Sequence, residues 1–202
     1  DLCHRLGSFA RQSARENVSS IHITYWGEMV DFDAVPLTRA VQKGWLDGIA
    51  GDEGVNDVNA PHKIKSLGIK VEVTKSSSIV DYNELVEVKT TASDGGENSV
   101  SGTLLGKAND PRIVEVDGNA IEVRPVDLLL VVRNVDKPGI VGKLGKILGD
   151  HGVNIANMSL SRADCGELAL TICELDEEPD QAVLGLLEAE PDIREARISR
   201  QS

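Results

Sequence analysis

Hydrophobic residues recur along the chain with two different periods, and the change of period marks the elements. Leu2, Leu6, Phe9 and Ala10 share one face of a helix. Ile21, Ile23 and Tyr25 then alternate as a half-buried strand does. Asp33 is placed to cap a second helix, with Pro36 in its first turn and Leu37, Val41 and Trp45 along one side. Asn59-Ala60-Pro61 opens a short helix that Gly68 closes. Ile69, Val71 and Val73 alternate again, and the polar residues 75–78 read as a loop. Strands are predicted at 85–91, 99–105, 113–116 and 120–123, with Asp94-Gly95-Gly96 and Asp117-Gly118-Asn119 as turns. The first half is therefore an α+β unit, with helices early and an antiparallel meander late.

Arg124-Pro125 interrupts the pattern and divides the chain into a domain at 1–125 and a second at 126–202. Beyond it, 128–132 is a wholly apolar strand. Asp136-Lys137-Pro138-Gly139 turns into a helix whose Ile140, Val141, Leu144, Ile147 and Leu148 form one stripe. Gly142, Gly145 and Gly149 lie at helical spacing in that segment, and close packing against a sheet or a partner would compensate their low propensity. His151-Gly152 ends the helix, and 155–160 is a strand. Ala163-Asp164-Cys165-Gly166 turns into a third strand bearing Leu168, Leu170 and Ile172. Pro179 starts a helix with Val183, Leu184 and Leu187, and 193–198 is the last strand. The order is βαββαβ, a ferredoxin-like split βαβ.

Composition narrows the function. The 202 residues allow one or two domains with real cores, and aromatics at 3% leave Val, Ile, Leu and Ala to build them. A net charge of -12 repels phosphate backbones and anionic lipid, which argues against nucleic acid and membrane partners. No apolar run has membrane-span length and no signal peptide heads the chain. A start at Asp1 inside a helix suggests a piece of a longer protein, and the odd number of cysteines points to a reducing, cytoplasmic setting. Cys3, Cys165 and Cys173 form no CxxC, so neither a disulfide framework nor a metal site is expected, and the last two read as packing residues.

Catalytic chemistry is not expected in this span. A nucleotide fold needs a GxGxxG loop after a strand, and the glycine ladder 139–145 has the wrong spacing and lies in a helix. His4, His22, His62 and His151 read as isolated, and Glu84, Glu87, Glu115 and Glu122 as solvating carboxylates without acid–base roles. Lys63, Lys65, Lys70 and Lys75 read as a solvated face, and Trp26 and Trp45 as core.

Val135-Asp136-Lys137-Pro138-Gly139-Ile140 followed by Gly152-Val153-Asn154-Ile155 resembles the signature of the ACT domain, an amino-acid-binding regulatory module. Val58-Asn59-Ala60-Pro61, Gly102-Thr103-Leu104-Leu105-Gly106 and Arg112-Ile113-Val114 before Asp117-Gly118 resemble the intervening, allosteric substrate-binding domain of long-form D-3-phosphoglycerate dehydrogenases. The resemblance runs over nearly the whole chain and implies the regulatory portion of an NAD-dependent enzyme of serine biosynthesis, with no cofactor in this span.

Two sites are expected. The first amides of the helix near Gly139 and Ile140 lack intrahelical partners and sit at its positive end, where a carboxylate docks. Asp136 pairs with an ammonium, and Asn154 bonds the carboxylate or a hydroxyl. The resemblance implies L-serine as feedback effector between two ACT domains of a homo-oligomer, with Asn134 at a contact position where other members often carry His or Tyr. Arg112 and Arg124 flank the Asp117-Gly118-Asn119 turn, and a hairpin would bring the two guanidiniums close enough to need an anion. There the resemblance implies a phosphate or phosphorylated substrate. Glu174 stands where some members place Arg, which leaves Arg133 or Arg162 as substitutes. Two other readings stay open: the small subunit of an iron–sulfur L-serine dehydratase, whose serine-rich signature Ser76-Ser77-Ser78 does not reproduce, and a non-catalytic amino-acid-binding dimerisation module.

Overall fold

A computed structural model describes residues 1–47, 54–78, 80–162 and 168–200. The chain divides into two compact units, Asp1–Gly118 and Asn119–Gln201. That division falls one strand before Arg124-Pro125.

The first unit begins with α1 (Leu2–Ser13), β1 (Val18–Gly27) and a 3₁₀ turn at Glu28–Asp31. Next come α2 (Ala34–Leu46), α3 (Ala60–Ser66) and β2 (Lys70–Ser76). The meander β3 (Glu84–Ala92), β4 (Glu97–Leu105) and β5 (Asp110–Val116) completes it. Its strands run β2-β1-β3-β4-β5, with β1 parallel to β2 and the later pairs antiparallel. The registers Ile23↔Val88, Tyr25↔Val86 and Val88↔Val100 put one apolar row across the sheet, and all five residues are buried. Leu2 and Leu6 of α1 press on that row at Gly102, where a Cβ would come within 3.0 Å of both side chains.

The helices α1 and α2 approach each other through two glycines. A Cβ on Gly7 would stand 2.1 Å from the Val41 carbonyl oxygen, and one on Gly44 would stand 1.9 Å from that of His4. Asp33 caps α2 by accepting from the Val35 amide at 3.0 Å, as its sequence position predicts. Trp45 is buried, whereas Trp26 is only half-buried at the end of β1 and is not a core residue. Lys75 and Ser76 extend β2 instead of belonging to a loop. The Lys75 ammonium, on an exposed residue as expected, also donates to the carbonyls of Val30 and Phe32 at 2.8 and 2.5 Å and so ties β2 to the 3₁₀ turn.

The second unit contains β6 (Asn119–Val123), β7 (Leu128–Val135), α4 (Ile140–Asp150) and β8 (Ile155–Arg162). It continues with β9 (Leu168–Leu175), α5 (Gln181–Ala189) and β10 (Ile193–Arg200). Four strands form an antiparallel sheet in the order β10-β7-β9-β8. The expected βαββαβ order, and with it the α+β class of the whole chain, is what the structure shows. Leu130, Val132 and Cys173 on the sheet meet Ile140, Leu144 and Leu148 of α4 and Val183 and Leu187 of α5. Burying each such side chain is worth roughly 1.5–3 kcal/mol. Residues of like parity to Leu129 and Ile172 face the other way, and β6 lies on that side: Ser159 donates to the Glu122 carbonyl.

Two helix readings change. Val141 is 45% exposed and leaves the apolar stripe of α4, because position 141 turns away from the sheet that Ile140 and Leu144 cover. The last helix starts at Gln181, not Pro179, because Asp180 accepts the Val183 amide at 2.9 Å and sets the N-cap there. The expected turn at Ala163-Asp164-Cys165-Gly166 lies outside the described residues.

Candidate functional site

The loop after β7 is built to leave a helix N-terminus open. Val135 closes the strand by donating its amide to the Asp192 carbonyl at 2.8 Å. Gly139 then takes a left-handed φ of 94°, a value that costs a side-chain-bearing residue but not glycine, and α4 begins at Ile140. Ile140 is buried and anchors the turn, and among the described residues no side chain caps the amides that follow. Those amides carry the positive end of the helix dipole.

Ion pairs hold this loop on both sides. Asp136 meets Arg162, at the end of β8, at 3.2 Å. Lys137 meets one oxygen of Asp192 at 2.6 Å, and Lys143, in the first turns of α4, meets the other at 3.2 Å and Glu190 at 2.7 Å. The Lys137 ammonium, helped by Lys143, holds the Asp192 carboxyl below its usual range. Glu190 and then Asp192 raise the Lys143 ammonium above its own. Sequence reading missed Lys143, Glu190 and Asp192, because the pairs join positions about fifty residues apart. The available hint was two acids in the turn before the last strand.

The residues expected to bind an effector do not all converge. Asp136, Gly139 and Ile140 stand together at one end of the sheet. Asn134 does not face solvent: it is fully buried, its amide oxygen accepts from Thr171 at 3.0 Å and its NH2 donates to the Val135 carbonyl at 3.0 Å. Its parity puts it on the helix-covered face with Leu130 and Val132, so it supports the loop from beneath and is corrected as a direct contact. Asn154 lies at the other end. Arg162 is level with Ala169 and Ile155 with Leu175, whereas Val135 is level with Leu168. A strand length, roughly 25 Å, therefore separates Asn154 from Asp136 within one chain. There Asn154 donates to Asp176 at 2.5 Å from its side chain and to Glu177 at 3.0 Å from its amide.

The two arginines fall in different units. In the first, the Arg112 guanidinium is held by Asp110 at 2.8 Å and by the Pro111 carbonyl at 2.9 Å. In the second, the Arg124 amide donates to Glu174 at 3.2 Å, and Asn157 donates to the same oxygen at 3.1 Å. Glu174, almost fully buried, accepts both of these bonds through one carboxylate oxygen. Of the histidines, His4 is not isolated: its ring meets Asp47 at 3.1 Å, joining α1 to the end of α2. His22 meets Thr74 at 2.8 Å. Among the described residues no three His, Cys, Asp or Glu side chains are grouped to hold a metal, and no helix is long and apolar enough to cross a membrane.

Comparison with known proteins covers both units. Residues 1–117 match the family described as the D-3-phosphoglycerate dehydrogenase intervening domain, and residues 128–192 match the ACT domain. The D-3-phosphoglycerate dehydrogenase of Mycobacterium leprae is 33% identical over 178 residues, which is 88% of this chain and 34% of that protein. The enzyme of the same name from Methanocaldococcus jannaschii is 30% identical over 98% of this chain and 37% of its own length. That from Synechocystis is 34% identical over 96% and 35%. The chain spans about a third of the length of the curated relatives it matches.

Proposed function

The chain belongs to the D-3-phosphoglycerate dehydrogenase intervening-domain family and carries an ACT domain behind it, and from that premise we propose that it is the regulatory part of an NAD-dependent phosphoglycerate dehydrogenase of serine biosynthesis. Hydride chemistry and NAD belong to other parts of such an enzyme. The ACT unit senses L-serine. The uncapped N-terminus of α4, opened by Gly139 with Asp136 beside it, supports this reading above all: amides meet the α-carboxylate and Asp136 meets the α-ammonium.

The separation of Asn154 from that loop requires a second copy. β8 ends the sheet order, and two copies meeting antiparallel along it set residue 154 of one level with residue 162 of the other, at the end that holds Asp136. Serine at such a seam is bound by both copies and restrains their relative motion. The coupling to a distant active site is typically about 1–3 kcal/mol, roughly 5- to 150-fold in affinity. In the first unit, a phosphate or phosphorylated substrate competes with Asp110 for Arg112. Arg124 serves an anion only from within the other unit.

Calorimetric titration of L-serine, with glycine and L-alanine as controls, tests the reading. Saturable serine binding, lost in Asn154→Ala and in Asp136→Asn, is expected. No heat and no thermal shift at millimolar serine removes the sensor role.

A further inference from the structure

The first unit contains a cavity of about 430 Å³ between the end of α1, Trp45 of α2 and the chain that follows α3. One wall is apolar, made of Val18, Trp45, Leu67 and Ile69. Leu67 stands at its margin, 51% exposed. The other wall is cationic: Arg11 and Arg15, four positions apart, both line the space. Like charges on one small cavity repel, and in a chain of net charge -12 acids to separate them are plentiful.

Each guanidinium is held by a contact that does not neutralise it. Arg11, half-buried, lies over the Trp45 ring, 5.7 Å from its centroid, and among the described residues it has no acidic partner. Arg15 lies against the turn after β3, where a Cβ on Gly96 would stand 2.7 Å from its Nε and Nη1. Asp94 is 3.9 Å from Arg15, but the two side chains are 59% and 67% exposed, so water screens the pair. Glu16, the acid in the lining, is exposed and among the described residues bonds to neither arginine. The Trp45 Nε1–H can only donate; it is buried and finds no acceptor among the described residues. The lining therefore has donors and positive charge to spare beside its apolar wall. A carboxylate fits the guanidinium fork, and a hydrocarbon body fits the wall. The volume lies in the range of small-molecule sites, and the lining has their composition.

We propose that this cavity binds a small apolar carboxylate, whose oxygens meet Arg11 and Arg15 and whose hydrocarbon part lies between Trp45, Leu67 and Ile69. An amine of the same shape is rejected by the same two charges. The site is separate from the serine reading: it lies in the first unit and uses neither Asp136 nor the amides of α4. It also shares no residue with the anion reading of Arg112.

The test uses benzoate, benzyl alcohol and benzylamine, titrated into the full chain. Binding is followed by calorimetry, by amide shifts and by the fluorescence of Trp45 in a Trp26→Phe background. Saturable benzoate binding is expected, about tenfold tighter than benzyl alcohol, with no binding of benzylamine. The shifts should gather at residues 11–18 and 67–69. Arg11→Gln should bring benzoate down to the level of benzyl alcohol, and Ala14→Phe, which fills the cavity from the end of α1, should abolish both. No saturable benzoate binding, equal binding of benzoate and benzylamine, or shifts confined to the loop at Asp110 overturns the proposal. Should Arg11→Gln fail to fold, Arg15→Gln, which should weaken benzoate severalfold, and the benzylamine control decide alone.

Discussion

In the first unit, Gly7 and Gly44 stand where α1 and α2 meet, and a Cβ on either would run into backbone of the facing helix. In the second, Gly142, Gly145 and Gly149 follow one another along α4, and a Cβ on any of them would meet nothing within 4 Å. Both sets occur at helical spacing, and both cost helix propensity. Only the first set is repaid inside its own fold, by an approach of helices that no larger residue permits. The second lies on the face of α4 turned away from Leu144 and Leu148, beside the exposed Val141. A glycine in a helix therefore reports close packing only when something is there to be packed.

The largest effect that tests this contrast is Gly44→Ala. With 1.9 Å available to the new methyl, overpacking should cost about 3 kcal/mol, read as a shifted urea midpoint at unchanged slope. A loss under about 1 kcal/mol would mean that the helices part easily and that the close approach is incidental. Gly145→Ala should do the opposite, adding about 1 kcal/mol through helix propensity alone. A concentration-dependent loss of stability in that variant would instead show that the outer face of α4 meets another copy of the chain.

The smallest effects separate the units by their response to acid. Burial lowers the His4 imidazole below its ordinary 6.5, against the pull of Asp47. The unfolded chain then takes up the proton first, so the first unit loses stability as pH falls through 6.5. Asp192 behaves differently. Its carboxyl is held below the ordinary 3.8 by Lys137, so its contribution persists above 3.8 and is lost only as pH falls through the lowered value. Stability against pH should show two acid limbs, His4→Gln flattening the upper and Asp192→Asn the lower. A single limb that neither variant changes would rule out both assignments.

Several parts of the candidate site were legible in the residues. Asp136-Lys137-Pro138-Gly139 announced a turn into a helix, and Gly139 does adopt the left-handed conformation that glycine alone takes freely. Asp33 announced its cap. Asn134 read as an effector contact beyond the apolar strand and not as a buried strand residue, because its burial depends on Thr171, thirty-seven positions away, offering its hydroxyl. Asn154 and Asp136 looked like partners because each opens or closes an element of one motif. Strand direction separates them, since β7 and β8 both run antiparallel to β9 and so carry those positions to opposite ends.

What the amino-acid sequence determined by itself was local: the hydrophobic periods that make the helices and strands, the turns, and the βαββαβ order of the second unit. These depend on residues within a few positions of one another, where propensity and patterning act directly. What only the tertiary structure decided was pairing across distance. The clamp of Lys137 and Lys143 on Asp192, the contact of Arg162 with Asp136 and the His4–Asp47 bridge all join segments far apart in the chain. No local pattern encodes such meetings, because they are set by strand order and helix placement, which the whole core chooses at once.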